Sequence, residues 1–185
     1  MLNEIIQHLR NNMLDVTPDI RGVNIQLLVG DNPRVLGFTQ NLSNIGIYPH
    51  IIFFHSTDDN CDPQPDKFAD LALHVIAHEF RHTQQELLWK SSLPRVQVTA
   101  AWRYTSTPDP DTYAVDPGEA DAEKFAEYIV ANTPNQLKQE LAQYLFDWIW
   151  ENWAEFKEKH DVERNHNITA AEAAELHAAK EESEQ

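Results

Sequence analysis

The residues with the most chemical content lie in one run, Leu71-Ala-Leu-His-Val-Ile-Ala-His-Glu-Phe-Arg-His82. Within it stands His78-Glu79-x-x-His82. On a helix, residues four apart point about 40° from one another. Two imidazoles in that relation leave one face a turn apart and can grip one metal ion. Glu79 is offset by about 100° from His78 and about 60° from His82 on the same period. It can therefore reach a water in the ion's open position without being a ligand. The chemistry this spacing serves is zinc-assisted hydrolysis, with the carboxylate as general base. By composition alone the pattern arises in roughly one such chain in twenty, so its surroundings must carry the weight. They are apolar on nearly every side: Phe68, Leu71, Leu73, Val75, Ile76, Ala77 and Phe80. A helix of that kind is buried, and three polar groups inside it are costly without partners. A zinc ion with its water satisfies all three.

A zinc site needs more than two protein ligands. A third histidine six residues after His82 is excluded, because that position is Leu88, and Gln85 stands where that arrangement needs glycine. His50, His55 and His74 remain as histidine candidates. The other option is a downstream carboxylate in Asp116-Pro-Gly-Glu-Ala-Asp-Ala-Glu-Lys-Phe-Ala126. There Glu119, Ala122, Ala126 and Ile129 or Val130 share one helical stripe. Small residues at 122 and 126 allow close packing on the first helix. Asp116-x-x-Glu119 also reads as a capping box, in which Glu119 would bind the backbone at the helix start. Glu123, one turn on, is then the alternative ligand.

His-Glu-x-x-His followed by Glu-x-x-Ala-x-x-Phe-Ala resembles the gluzincin branch of the zincin metallopeptidases. It is similar to the compact cytosolic members of phages and bacteria, including the repressor-cleaving peptidases of mobile elements. The matching residues are His78, Glu79, His82, Glu119, Ala122, Phe125 and Ala126, and the likeness covers about residues 45–131. His-Glu-Phe-Arg-His-x-x-Gln, ending at Gln85, also looks like small phage-type members. The resemblance implies Zn2+ held by His78, His82 and Glu119, with Glu79 catalytic. It implies a zincin-like α+β fold, a small mostly antiparallel sheet packed on the active-site helix with further C-terminal helices. It also implies a strand, here Ile45–Phe54, whose edge aligns an extended peptide or protein substrate.

Other residues are candidates for supporting roles. His74 lies one turn before His78 and reads as a supporting partner, a ligand or a core histidine. Asp121 reads either as a carboxylate that holds a ligand histidine by its free N–H or as a solvated residue. A peptidase also needs a donor for the oxyanion. Arg103, Tyr104 and Tyr113 lie between the two zinc helices, and Tyr113 is the choice among them. Leu137, Leu141, Tyr144, Leu145, Trp148, Ile149, Trp150, Trp153 and Phe156 put aromatics on more than one side of a helix over 135–159. If Trp150 or Trp153 is exposed, that helix offers a surface for a homo-oligomer or a protein partner.

The elements that must position these groups are legible by period and by breakers. Ile5, Ile6, Leu9 and Met13 share one face of a short helix over 2–13. Three β-rich runs follow: Val23–Val29, Arg34–Thr39 and Ile45–Phe54. Gly30-Asp31-Asn32-Pro33 reads as the turn of a hairpin between the first two, and the third reads as a buried strand. A long helix is expected from about Lys67 to about Trp89. Residues 91–116 read as irregular, with Pro94, Pro108 and Pro110. Helices are expected over 117–131 and, after Thr133-Pro134 as cap and first position, over 135–159. Residues 1–160 form one expected domain, and 161–185 a polar Ala/Glu-rich tail, helical or disordered.

The chain has 185 residues with 30 acidic and 14 basic side chains, a net charge of −16. Nucleic-acid binding needs clustered Lys and Arg, and anionic membranes repel such a surface. Both partner classes are set aside. The one cysteine, Cys61, excludes an intrachain disulfide and a thiolate zinc site. The start of the chain lacks a signal-peptide pattern and no run suits a membrane span, so a cytoplasmic protein is expected. The function expected is peptide-bond hydrolysis. The alternatives are a zinc-binding regulatory or interaction module with little or no turnover, and a metal-free interaction protein.

Overall fold

The chain is described from a computed structural model covering residues 1–12, 22–30, 32–40, 43–57, 64–90 and 117–160; the side chains of 87–90, 117, 159 and 160 are left aside. Met13, the segment 91–116 with Arg103, Tyr104 and Tyr113, and the tail 161–185 lie outside the described residues. The architecture is α+β. In chain order come α1 (Leu2–Asn11), β1 (Asn24–Leu27), β2 (Gly37–Gln40), β3 (Asn44–Ile47), α2 (Pro49–Ser56), α3 (Pro65–Lys90), α4 (Pro117–Asn132), α5 (Asn135–Glu151) and α6 (Trp153–His160). Among the described residues, no helix is long and apolar enough to cross a membrane.

The sheet departs from the expected one. Its order is β1-β3-β2. β3 pairs parallel with β1, Asn24 opposite Asn44 through Leu27 opposite Ile47. It pairs antiparallel with β2, Gly37 opposite Ile47 through Gln40 opposite Asn44. The sheet is therefore mixed rather than mostly antiparallel, and the hairpin joins the second and third runs rather than the first and second. Burial explains the order. Ile45 and Ile47 are fully buried, so the most apolar of the three strands takes the centre, where both its edges are paired. Bonds beyond the strand ends extend both ladders, from Leu28 N–H to Ile47 O at 3.0 Å and from Tyr48 N–H to Leu36 O at 3.0 Å.

The third run is a strand only as far as Ile47. Pro49 then opens α2 at its first turn, where its missing N–H is not needed and its fixed φ suits a helix. A continuous apolar run cannot be assigned to strand or helix by period alone, and Ile45–Phe54 contains both. Ile51, Ile52 and Phe53 enter the core from α2 instead of from the sheet.

α3 runs through the middle of the molecule. Phe68, Ala69, Ala72, Leu73, Val75, Ile76, Ala77 and Phe80 are all buried, as a helix covered on several sides requires. It packs against α2, α4, α5, β2 and β3, most extensively against α4. The α4 stripe holds Ala122, Ala126 and Ile129, each without exposed surface. The two alanines add no bulk between the helix axes. Leu141, Leu145 and Ile149 close the core from α5 and Ile5 and Leu9 from α1. Ile129 lies at the centre of this packing. Ile129→Ala should cost about 2–5 kcal/mol in denaturant unfolding; a loss under 1 kcal/mol would mean that α4 is only loosely docked.

Two helix boundaries differ from expectation. Thr133 ends α4 rather than starting the next helix: its hydroxyl donates to Ile129 O at 2.7 Å and stands 2.7 Å from His8 Nε2 on α1. The hydroxyl is thus engaged backwards, and Pro134 takes the cap position of α5. The helix expected over 135–159 is broken at Asn152, which has φ −105° and ψ 11°. Its side-chain amide donates to Trp148 O at 2.8 Å, which ends α5. The break lets Phe156 come back over α2, with its ring 4.3 Å from that of His50 and 5.5 Å from that of Phe54. Trp148 and Trp153 pack on the core and Trp150 is half-buried. The large exposed apolar side chain among the described residues is Tyr144; Trp148, Trp150 and Trp153 each keep part of their surface open to solvent.

Candidate metal centre

α3 sets His78 and His82 one turn apart, with ring centroids 4.6 Å apart and planes at 80°. Their Nε2 atoms face each other at 3.0 Å. From α4, Glu119 brings Oε2 to 3.1 Å from His78 Nε2 and to 3.3 Å from His82 Nε2. His78 is 9% and Glu119 6% exposed, and the His82 side chain is 20% exposed, so the three donors meet in a largely buried cluster. Of the two expected uses of Glu119, the carboxylate is turned to the imidazoles.

The triangle suits one small cation. Zinc bonds of 2.0–2.1 Å in tetrahedral geometry place ligand atoms about 3.3 Å apart. The observed edges of 3.0, 3.1 and 3.3 Å are close to that. Three protein ligands would leave one of four tetrahedral positions to water, the number that catalytic zinc sites use. Two nitrogens and a carboxylate oxygen favour zinc over magnesium or calcium, which prefer oxygen alone.

The hydrogen bonds behind the triangle settle which imidazole nitrogen is available. Gln85 donates its amide N–H groups to Gly118 O at 2.9 Å and to Asp121 Oδ2 at 2.8 Å. Both partners are acceptors, so the amide orientation is determined and Gln85 Oε1 faces His82 Nδ1 at 2.7 Å. His82 Nδ1 therefore carries the proton and donates it, and Nε2 presents its lone pair to the site. Asp121 is held in turn by Arg81, from Nε at 2.7 Å and from Nη2 at 3.1 Å. The Arg81 guanidinium also lies over the Phe125 ring, 5.5 Å from its centroid.

Of the two readings of Asp121, a hold on a histidine and a solvated residue, the contacts favour the first, with Asp121 reaching His82 through Gln85 rather than directly. The physical reason is reach: Gln85 lies three residues after His82 on the same helix and fills the gap between α3 and α4. Burial raises the Asp121 carboxyl, but the hydrogen bonds from Arg81 and Gln85 outweigh it and hold it below the ordinary aspartate range. His82 is pulled the other way. Burial lowers it, yet the carboxylates of Glu119 and Glu79 and the Gln85 bond leave it raised overall. Gln85→Leu should weaken zinc binding by about 10–100-fold, read by competition with a chelating dye. An unchanged affinity would reduce Gln85 to packing.

Glu79 projects from the same turn but stands off the triangle. Its Oε2 lies 2.8 Å from the Thr39 hydroxyl of β2, and the same hydroxyl lies 2.8 Å from Glu79 O. Burial raises the Glu79 carboxyl above the ordinary glutamate range despite the downward pull of His82, His78 and the Thr39 bond. A carboxylate raised in this way is a better proton acceptor near neutral pH. Gly37 makes the approach possible: a Cβ there would meet Val75 Cγ1 at 2.8 Å and Glu79 Cγ at 3.3 Å. Gly37→Val should push β2 away from α3 and lower stability by about 1–3 kcal/mol through overpacking. A thermal melt equal to that of the unaltered chain would show that the strand gives way freely.

The other candidates fall into two groups. His74 and Glu123 stand beside the triangle: His74 Nε2 is 3.2 Å from Glu123 Oε2, which is also 3.5 Å from His78 Nδ1. His50 and His55 are elsewhere, His50 buried in α2 against Phe156 and His55 with Nε2 2.9 Å from Pro33 O. Neither shares a metal-holding group with His78 or His82 among the described residues. Tyr113, the expected oxyanion donor, lies outside the described residues. Thr39 has no sequence signal, since a threonine in a short strand is ordinary. Gln85 stood in the quoted motif, but only the inter-helix gap gives it a role.

Compared with family models, with curated proteins and with solved structures, the chain matches none.

Proposed function

We propose that the chain is a zinc-dependent metallopeptidase that hydrolyses peptide bonds, with His78, His82 and Glu119 holding the ion and Glu79 acting as general base. One observation carries the reading: two imidazole nitrogens and a carboxylate oxygen converge at 3.0–3.3 Å while a second carboxylate stands beside them, held by a separate strand. A structural metal site needs the convergence but has no use for Glu79.

Zinc held by His78, His82 and Glu119 would supply Lewis acidity toward the scissile carbonyl and would make water acidic enough to ionise near pH ~7. Glu79 takes the proton from the attacking water. The same carboxyl then delivers that proton to the leaving amine, so it ends the cycle ionised as it began. Thr39 aims Oε2 of Glu79 during the first transfer. Gln85 keeps the His82 proton on Nδ1, so the ligand nitrogen stays unprotonated.

β2 is the strand that would align an extended peptide. Ile45–Phe54 cannot serve, because β3 is paired on both sides and the run then turns into α2. β2 has β3 on one side and, among the described residues, no strand on the other. A peptide added there by backbone pairing would pass the Thr39–Glu79 contact.

The test is metal content together with turnover. Protein purified without chelator should carry about one zinc per chain, as expected of a single such motif. It should cleave members of a broad peptide library, and chelator should stop the cleavage. Bound zinc with no cleavage across the library would favour the regulatory-module reading. Absence of bound metal would remove both.

A further inference from the structure

We propose that a second, weaker transition-metal site lies on the outer side of His78, formed by His74 Nε2, His78 Nδ1 and Glu123 Oε2. It rests on the reading of His78, His82 and Glu119 as the inner metal site, and it would make the His78 ring a bridge between two ions. The observation behind it is a repetition. His74, His78 and His82 are spaced by four on α3, and Glu119 and Glu123 by four on α4. The helices run in opposite directions along this contact, so the inner pattern recurs one turn away. Glu119 Oε2 faces His78 and His82; Glu123 Oε2 faces His74 at 3.2 Å and His78 at 3.5 Å. One ligand atom from each of His74, His78 and Glu123 lies within 4.8 Å of the other two, which is within the span of ligands around one ion. The His74 and His78 rings are near parallel, at 21° with centroids 6.4 Å apart.

The outer site differs from the inner one in two ways that set its properties. The side chains of His74 and Glu123 are 24% and 52% exposed, so water can complete the coordination sphere and an ion can enter from solvent. The His78 ring must also give up its second proton. With only the inner ion bound, Nε2 is a ligand and Nδ1 carries a proton toward Glu123. A divalent ion entering the outer site takes the Nδ1 lone pair and releases that proton to solvent; no oxidation state changes. Two nitrogens and one carboxylate oxygen select zinc, cobalt or copper over magnesium and calcium.

The experiment uses the full chain already carrying one equivalent of zinc. It is titrated calorimetrically with zinc chloride at neutral pH, in two buffers of different protonation heat, and bound metal is counted after desalting. The unaltered chain should take a second equivalent and release about one proton with it, as ligand deprotonation requires. His74→Ala and His74→Gln should each keep the first equivalent and lose the second. His74 is only partly buried, and the glutamine variant preserves its bulk. A chain that stops at one equivalent overturns the outer site and leaves the inner one standing. A second equivalent that survives both His74 variants places that ion elsewhere and also overturns it. A chain that holds no zinc at all removes the outer site together with the reading it rests on.

Discussion

Glu79→Gln should keep the zinc and the fold and lose at least about 10²-fold in peptide cleavage, the scale of a missing general base. Glutamine matches glutamate in size and can still meet the Thr39 hydroxyl, which lies 2.8 Å from Oε2. It cannot accept the proton of the attacking water. Metal content, measured by plasma mass spectrometry, should equal that of the unaltered chain, because Glu79 stands outside the triangle of His78, His82 and Glu119. Loss of zinc in this variant would make Glu79 a ligand and overturn its role as base. Cleavage at the original rate would place the activity in another group or another protein. The variant also separates chemistry from folding, since it removes a buried charge without opening a cavity.

His82→Ala should reduce zinc content from about one per chain to near none. Two protein ligands are fewer than zinc sites use, and the Gln85 bond to the ring disappears with them. Chelator should lower the melting temperature of the unaltered chain and leave that of His82→Ala unchanged, because only a folded state that binds metal gains stability from it. His55→Ala is the matched control, a histidine whose Nε2 meets Pro33 O on the surface. Equal zinc content in His82→Ala and His55→Ala would mean that the triangle is a hydrogen-bond cluster and not a metal site. Glu119→Ala separates the two expected uses of that residue. Zinc loss marks a ligand, whereas a loss of only about 1 kcal/mol of stability marks a helix cap.

What the sequence by itself determined was local. Spacing by four on an apolar helix puts His78 and His82 on one face and Glu79 beside them, because helical geometry is a property of the segment alone. The stripe Glu119, Ala122, Ala126 likewise points one way by period. The helices expected over 2–13, about 67–89 and 117–131 follow from the same regularity, and helices stand at 2–11, 65–90 and 117–132. Only the tertiary structure decided what meets what. Whether Glu119 or Glu123 faces His82 depends on how far α4 slides along α3, a distance that periodicity does not contain. β3 moved to the centre of the sheet because burial favours the most apolar strand there, whereas turn residues speak only for the chain next to them. Ile45–Phe54 divided into strand and helix at Pro49, which a continuous apolar run could not announce. Thr39 and Gln85 acquired their contacts from elements far away in the chain: one hydroxyl from β2 holds the Glu79 carboxylate, and one amide between α3 and α4 sets the proton on His82. A sequence shows the direction in which a side chain leaves its own helix; the partner at the other end is set by packing between elements.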